Sequence, residues 1–368
     1  MSDNQKQLHR SLVDRIRQHG SITVAEYMAA VSQAYYAFKN PFGAEGDFVT
    51  APEVSQMFGE MVAAWLVDCW MQMGRPDDIR LVELGPGRGT LAADIMRTIA
   101  AWPDFKSAVT LHLVETSPRL REIQADTLKH YAAGWHDSFS SVPEGPCLIV
   151  ANEFFDALPI HQFVKQDGAW AERCVGYDPE KQSFYFTTAY PHPNPLALGE
   201  GRGEDIAGAI FETSPLSLTI LREISHRIAR QGGAALIIDY GHDRPGFGDT
   251  LQALSKHQYA DPLQNPGERD ITAHVDFSAF KAAAGQTVAV TGPVTQGQFL
   301  IALGIEARAQ SLCATAPDPQ RQQITRDLCR LVAPQEMGRL FKIMALTPKD
   351  ATIVPAGFGM QGNEITDD

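Results

Sequence analysis

The stretch Leu81–Thr90 reads LVELGPGRGT. An apolar run leads into Glu83-Leu84, and glycines follow at positions 85, 87 and 89. Thr90 can cap the helix LAADIMRTIA, whose apolar residues fall at Leu91, Ile95 and Ile99. Strand, glycine turn and helix make the first crossover of a doubly wound sheet. Ligands of such sheets bind outside the carboxyl ends of the strands, so the loop predicts a cofactor site. The alternative is a plain tight turn that needs glycine for positive φ.

The spacing separates candidate cofactors. The dinucleotide fingerprint is Gly-x-Gly-x-x-Gly, whose third glycine lets helix and strand pack closely. Here Gly85, Gly87 and Gly89 are spaced Gly-x-Gly-x-Gly, with Glu83 two residues ahead. A carboxylate near the loop mouth would repel a pyrophosphate and suit a ligand bearing an ammonium and a sulfonium, such as S-adenosylmethionine. The next strand, Val109 to Val114, ends in Glu115. An acid there can accept hydrogen bonds from both ribose hydroxyls. It lies about 30 residues past the loop, later than the roughly 20 of a dinucleotide site. A nicotinamide-dependent oxidoreductase is therefore disfavoured.

Composition narrows the class. The 368 residues are 44% hydrophobic and 20% charged, an ordinary globular mixture with room for a large core. The net charge of -13 disfavours nucleic-acid backbone binding and permits cationic substrates. No apolar run approaches the ~18 residues of a membrane span, so no membrane insertion is expected. The start, MSDNQKQLHR, lacks the apolar core of a secretory signal. Five scattered cysteines without a Cys-x-x-Cys pair read as reduced thiols with no metal site. A cytoplasmic protein is expected.

Residues 1–75 read as a helical region and 76–368 as the α/β core, with insertions at about 160–212 and 244–275. Leu12, Val13 and Ile16 mark a first helix, and Thr23 with Glu26 has capping-box spacing for a second. Thr50 and Glu53 repeat that spacing before one long helix carrying Val54 through Trp70. Capping is one reading; the other is that Asp47, Thr50 and Glu53 fold over the cofactor mouth and contribute polar contacts. A short third strand is expected before Trp135, followed by Asp137, a candidate acceptor for the adenine amino group or else a turn former. The fourth strand, Cys147 to Ala151, runs into NEFFDALP. Glu153 and Asp156 thus fall at the carboxyl edge of the sheet, beside Phe154 and Phe155. A solvated loop with both rings in the core is the alternative.

Residues 160–190 alternate and carry turn signals, predicting inserted antiparallel hairpins. A helix from Ser214-Pro215 leads to a fifth strand, Ala234 to Asp239. Residues 246–273 look irregular; His257, Tyr259, Asp261 and Asp270 favour a lid. A sixth strand is expected over Thr287 to Thr291 and a closing strand near Thr352 to Pro355.

GDFVTAPE at Gly46–Glu53, the ELGPGRG loop, ANEFFDALP at Ala151–Pro159 and the late DPLQNPGERDITAHVDF together resemble the MidA family. The resemblance spans about Ser21 to Phe358. It implies a seven-stranded class I methyltransferase using S-adenosylmethionine. The family's mitochondrial member is a complex I assembly factor that methylates arginine, which implies a protein substrate such as a complex I core subunit. Methyl transfer is an in-line displacement, so placement and charge stabilisation dominate. A guanidinium is protonated at any working pH and must be oriented by carboxylates. Glu153 and Asp156 are the candidates, with Phe154 or Phe155 stacking on its plane. No Asn/Asp-Pro-Pro-Tyr follows strand four, which argues against amide or adenine-amino methylation. His257 is a candidate proton acceptor or lid contact, set against an ordinary loop histidine. The rival function is an assembly chaperone that binds S-adenosylmethionine without turnover.

Overall fold

A computed structural model describes residues 3–38, 49–191, 208–255, 258–351 and 353–359. Asp47 and His257 lie outside the described residues. The chain opens with α1 (Asp3–His19), the short β1 (Ile22–Thr23) and α2 (Val24–Phe38). α1 buries Leu12, Val13 and Ile16, the stripe expected. The Thr23–Glu26 box closes: Glu26 N–H donates to Thr23 Oγ1 at 3.1 Å and Thr23 N–H to Glu26 Oε2 at 2.9 Å.

The next helix departs from expectation. It is two, α3 (Ala51–Val54) and α4 (Gln56–Gln72), broken where Ser55 turns extended at φ -160° and caps α4 by accepting from Met57 N–H. Thr50 precedes α3 without a side-chain cap bond, so the second capping box does not form. Glu53 instead accepts from Thr90 Oγ1 at 2.5 Å.

The core follows as β2 (Ile79–Leu84), α5 (Thr90–Thr98), α6 (Pro103–Ala108), β3 (Val109–Val114), α7 (Pro118–Thr127), β4 (Ala133–His136) and β5 (Cys147–Asn152). Trp135 lies inside the third core strand, β4, rather than after it. An antiparallel excursion comes next: β6 (His161–Gln166), β7 (Ala169–Asp178), β8 (Ser183–Pro191) and β9 (Ile210–Thr213). β1 adds to its edge through Ile22 opposite Val175, so α1 and α2 share a hydrophobic cluster with these strands. The chain returns through α8 (Pro215–Gln231) and β10 (Gly233–His242).

Residues after β10 are more ordered than the sequence implies. β11 (Gln252–Ser255), β12 (Gln258–Ala260) and β13 (Asp270–Thr272) form their own small sheet. β14 (Val275–Asp276), α9 (Phe277–Gly285) and β15 (Ala289–Thr295) precede four helices: α10 (Gln296–Ala302), α11 (Ile305–Thr315), α12 (Asp318–Val332) and α13 (Met337–Leu340). The closing strand is β16 (Phe341–Thr347), not Thr352 to Pro355. Its apolar run pairs with both β10 and β15, which a partner-free reading of Phe341 to Ala345 does not reveal.

The large sheet runs β15-β16-β10-β5-β2-β3-β4. The five strands from β10 to β4 are parallel, and β16 is antiparallel to both neighbours. Both faces are covered, which is why the parallel strands are near-continuous apolar runs. The pleat divides them: Leu81, Leu148, Val150, Leu236 and Ile238 pack under α4 and α5, whereas Val82, Ile149, Ala235 and Ile237 pack under α8 and α9. No described helix is long and apolar enough to cross a membrane.

Candidate active site

Four strand ends converge at the carboxyl edge of the sheet. Gly85 N–H donates to Val114 O (3.0 Å), Glu115 N–H to His136 O (3.0 Å) and Glu153 N–H to Ile238 O (2.9 Å). These bonds extend the parallel ladder by one residue and fix the loop after β2, the acid after β3 and the acid after β5 side by side. Above them lies a cavity of about 930 Å³, lined by Gly85, Gly87, Thr50, Glu115, Glu153 and Asp156 among others. Six residues scattered over a hundred positions of sequence are thereby brought together.

The loop half of the cavity is backbone-rich. Gly85, Gly87 and Gly89 have φ of 62°, 53° and 81°, and Gly89 caps α5. A Cβ on Gly85 would stand 2.8 Å from Phe154 Cδ2, so glycine is required both for backbone and for space. Glu115 accepts from Ser117 N–H at 2.7 Å and from Gln124 Nε2 at 3.2 Å. Burial pushes its carboxyl up, and those two bonds pull the other way. Gln124, fully buried on α7, was not anticipated from sequence. Its amide nitrogen also donates to Gly87 O at 2.8 Å, while its oxygen accepts from Trp135 Nε1 at 2.9 Å. One side chain thus ties the glycine loop to the acid after β3. An isolated glutamine in a helix carries no signal of such a role.

Three expected cofactor contacts are off the cavity lining: Gly89, where a Cβ would face Leu128 and Gln124 rather than the cavity, Glu83 and Asp137. Glu83 is 4% exposed beneath the start of α5, where Ala92 N–H reaches it, and does not line the cavity. Burial lifts its pKa to about 8, so it is largely protonated at neutral pH and is no charged sentinel at the mouth. The pleat explains this: Glu83 follows Leu81 onto the α5 face. Asp137 is 86% exposed and paired with Arg121 at 2.6 Å, away from the cavity lining.

The other half is acidic. Glu153 has φ 51°, a left-handed conformation that costs a non-glycine residue about 1–3 kcal/mol and is found where surroundings impose it. Its Oε1 accepts from Ala51 N–H and Asn152 Nδ2, each at 3.3 Å. Burial, reinforced by neighbouring Asp156, raises its pKa to about 8. Asp156 Oδ2 accepts from Tyr240 O–H at 2.6 Å, and its Oδ1 has no hydrogen-bond partner among the described residues. Burial raises Asp156 to about 6, with the Tyr240 bond opposing. Asp239, in the carboxyl-terminal half of β10, holds the turn: Oδ2 accepts from Phe155 N–H (3.0 Å) and Asp156 N–H (3.2 Å), and Oδ1 from Tyr240 N–H (3.0 Å). Burial and the nearby acids push its carboxyl well up. Of the two aromatics, Phe154 lines the cavity, and Phe155 packs into the core against Phe280 at 4.9 Å. Tyr36 closes the far side, donating to Asp270 Oδ2 at 2.7 Å. Asp239, Tyr240 and Tyr36 went unmarked in the sequence because strand-end and helix-interior positions become site positions only through pairing.

Glycine cradle, buried acid after β3 and orphaned Asp156 oxygen fit a ligand with ribose hydroxyls at one end and positive charge at the other. Relatives agree. A family model for S-adenosyl-L-methionine-dependent methyltransferases matches residues 61–294. Protein arginine methyltransferase NDUFAF7, mitochondrial, of Mus musculus is 40% identical over 92% of this chain and 84% of its own. The Homo sapiens protein of that name is 37% identical over 92% and 83%. A COG1565 superfamily member from Burkholderia thailandensis, solved bound to S-adenosyl-homocysteine, is 29% identical and covers 96% of each chain with a TM-score of 0.79. The expectation of a cytoplasmic protein is overturned here, because these curated relatives are named mitochondrial proteins. The cofactor is S-adenosylmethionine, and the chain belongs to the MidA-like family of S-adenosyl-L-methionine-dependent methyltransferases.

Proposed function

We propose that this enzyme methylates an arginine guanidinium on a protein, with a core subunit of respiratory complex I as substrate. The observation that carries the reading is the pair of carboxyls, half-buried Glu153 and buried Asp156, lining one cavity with the glycine loop. Among the described residues neither has a cationic partner bonded to it, and Asp156 Oδ1 has no hydrogen-bond partner. A guanidinium is the cation that satisfies two carboxylates at once, through planar, charge-assisted bonds. The relatives named protein arginine methyltransferases support the same substrate class, and the MidA resemblance supports the complex I subunit.

S-adenosylmethionine supplies an electrophilic methyl group on a sulfonium. The chain's own residues orient the acceptor. The arriving guanidinium draws Glu153 and Asp156 into their ionised forms, since an opposite charge favours the charged state. Glu153, fixed by its strained backbone and by Ala51 N–H, grips one edge of the guanidinium. Asp156, braced by Tyr240, takes another and localises positive charge away from the attacking nitrogen. Phe154 offers a face for the planar group. The proton shed by the methylated nitrogen passes to Glu153, whose raised pKa makes it a better acceptor than an exposed carboxylate. Thr50, Gly85, Gly87 and Glu115 hold the cofactor.

The test is transfer of labelled methyl from S-adenosylmethionine to purified complex I core subunits, with the acceptor mapped by mass spectrometry. Label on an arginine is expected. Cofactor binding without label on any core subunit would sink the substrate assignment and leave an assembly chaperone.

A further inference from the structure

The cofactor brings a carboxylate, on its methionine end, into a cavity already crowded with acids. Glu115, Glu153, Asp156, Asp270 and Glu336 all line it. A further negative charge would be repelled unless a cation meets it. Among the described lining residues Arg330 is the only lysine or arginine. His274 also lines the cavity, but burial lowers its pKa and keeps it neutral.

Arg330 is placed for that task. It occupies the last turn of α12, which packs on α3. α3 follows Thr50, a lining residue, and its first N–H holds Glu153. The Arg330 charge acts on Glu153, whereas the cation acting on Glu115 is Arg121. Arg330 therefore sits at the Glu153 end, away from the acid placed to take the ribose. It forms no ion pair among the described residues, although Glu336 lines the same rim, so its guanidinium is available to a ligand.

We propose that Arg330 binds the methionine carboxylate of S-adenosylmethionine and of its demethylated product. This rests on the orientation given above, with the ribose at Glu115. The fork of an arginine matches a carboxylate with two parallel hydrogen bonds, which a lysine cannot reproduce. Nothing in the glycine-loop pattern points to a residue 240 or so positions downstream.

Calorimetry on the full chain tests it with two ligands: S-adenosyl-homocysteine, and 5′-methylthioadenosine, which keeps the adenosine and sulfur but lacks the amino-acid end. Arg330→Met is expected to weaken S-adenosyl-homocysteine by about ten- to a hundredfold, the range for one charge-assisted pair. Its affinity for 5′-methylthioadenosine should stay within about twofold, which also shows that the variant is folded. Arg330→Lys should fall between wild type and Arg330→Met for S-adenosyl-homocysteine. Unchanged S-adenosyl-homocysteine affinity in Arg330→Met would overturn the proposal. So would equal losses for both ligands, because the amino-acid end would then play no part. Failure of the wild-type chain to bind either ligand would instead strike at the ribose-at-Glu115 orientation and its cofactor pocket.

Discussion

Replacing Glu153 by glutamine should yield an enzyme that is inactive yet more stable at alkaline pH. The carboxyl has a pKa of about 8 in the folded protein against 4.5 in the unfolded chain. Below 4.5 both states hold the proton, and the group is neutral to folding. Between 4.5 and 8 the unfolded chain releases the proton while the folded chain retains it, so wild-type stability drains away as pH rises. The full shift corresponds to about 5 kcal/mol at about 1.4 kcal/mol per unit. Glu153 is partly exposed, and screening by solvent reduces the expected effect to about 2 kcal/mol. For a chain of 368 residues that is a rise in Tm of about 3 °C. Glutamine keeps the acceptor oxygen for Ala51 N–H and loses only the charge. Thermal unfolding of both proteins from pH 4.5 to 9 should therefore show coincident midpoints at the acid end and a gap opening toward pH 9. Methyl transfer should be lost, and S-adenosyl-homocysteine should bind as before. Parallel melting curves at every pH would refute the burial argument. Normal turnover would remove Glu153 from the chemistry.

Three further outcomes follow from the same geometry. Tyr240→Phe removes the hydrogen bond that favours ionised Asp156; its pKa should climb above about 6, and the acid limb of kcat/KM should move to higher pH, which a pH–rate profile would show or exclude. Gln124→Leu breaks the bonds to Gly87 O and Glu115, each worth about 0.5–1.5 kcal/mol; calorimetry should find S-adenosyl-homocysteine weakened by about tenfold, and an unchanged affinity would show the tie to be idle. Gly85→Ala forces a methyl to 2.8 Å from the Phe154 ring in a left-handed backbone; it should cost about 1–3 kcal/mol in denaturant unfolding and abolish cofactor binding.

Much of this was legible locally. The glycine loop, the acid after β3 and the acids of NEFFDALP are contiguous with their strands, and period and turn chemistry alone place them at one edge of a parallel sheet. The box at Thr23 and Glu26 formed because both partners lie within one turn. The same spacing at Thr50 and Glu53 failed because Thr90, 37 residues on, competes for the Glu53 carboxylate. Spacing encodes an opportunity, and a distant donor can take it.

The sequence by itself determined the fold class and the glycine loop, and it set Glu115, Glu153 and Asp156 just past strand ends that border the cavity, because each follows from short-range periodicity. Only the tertiary structure decided the charge states and the partners. Glu83 reads as a charged acid at the mouth, yet the pleat turns it under α5 and burial keeps its proton. Gln124, Tyr240 and Arg330 acquire roles solely through contacts made across the chain. Dielectric surroundings and long-range neighbours are properties of the packed molecule, and no window of residues contains them.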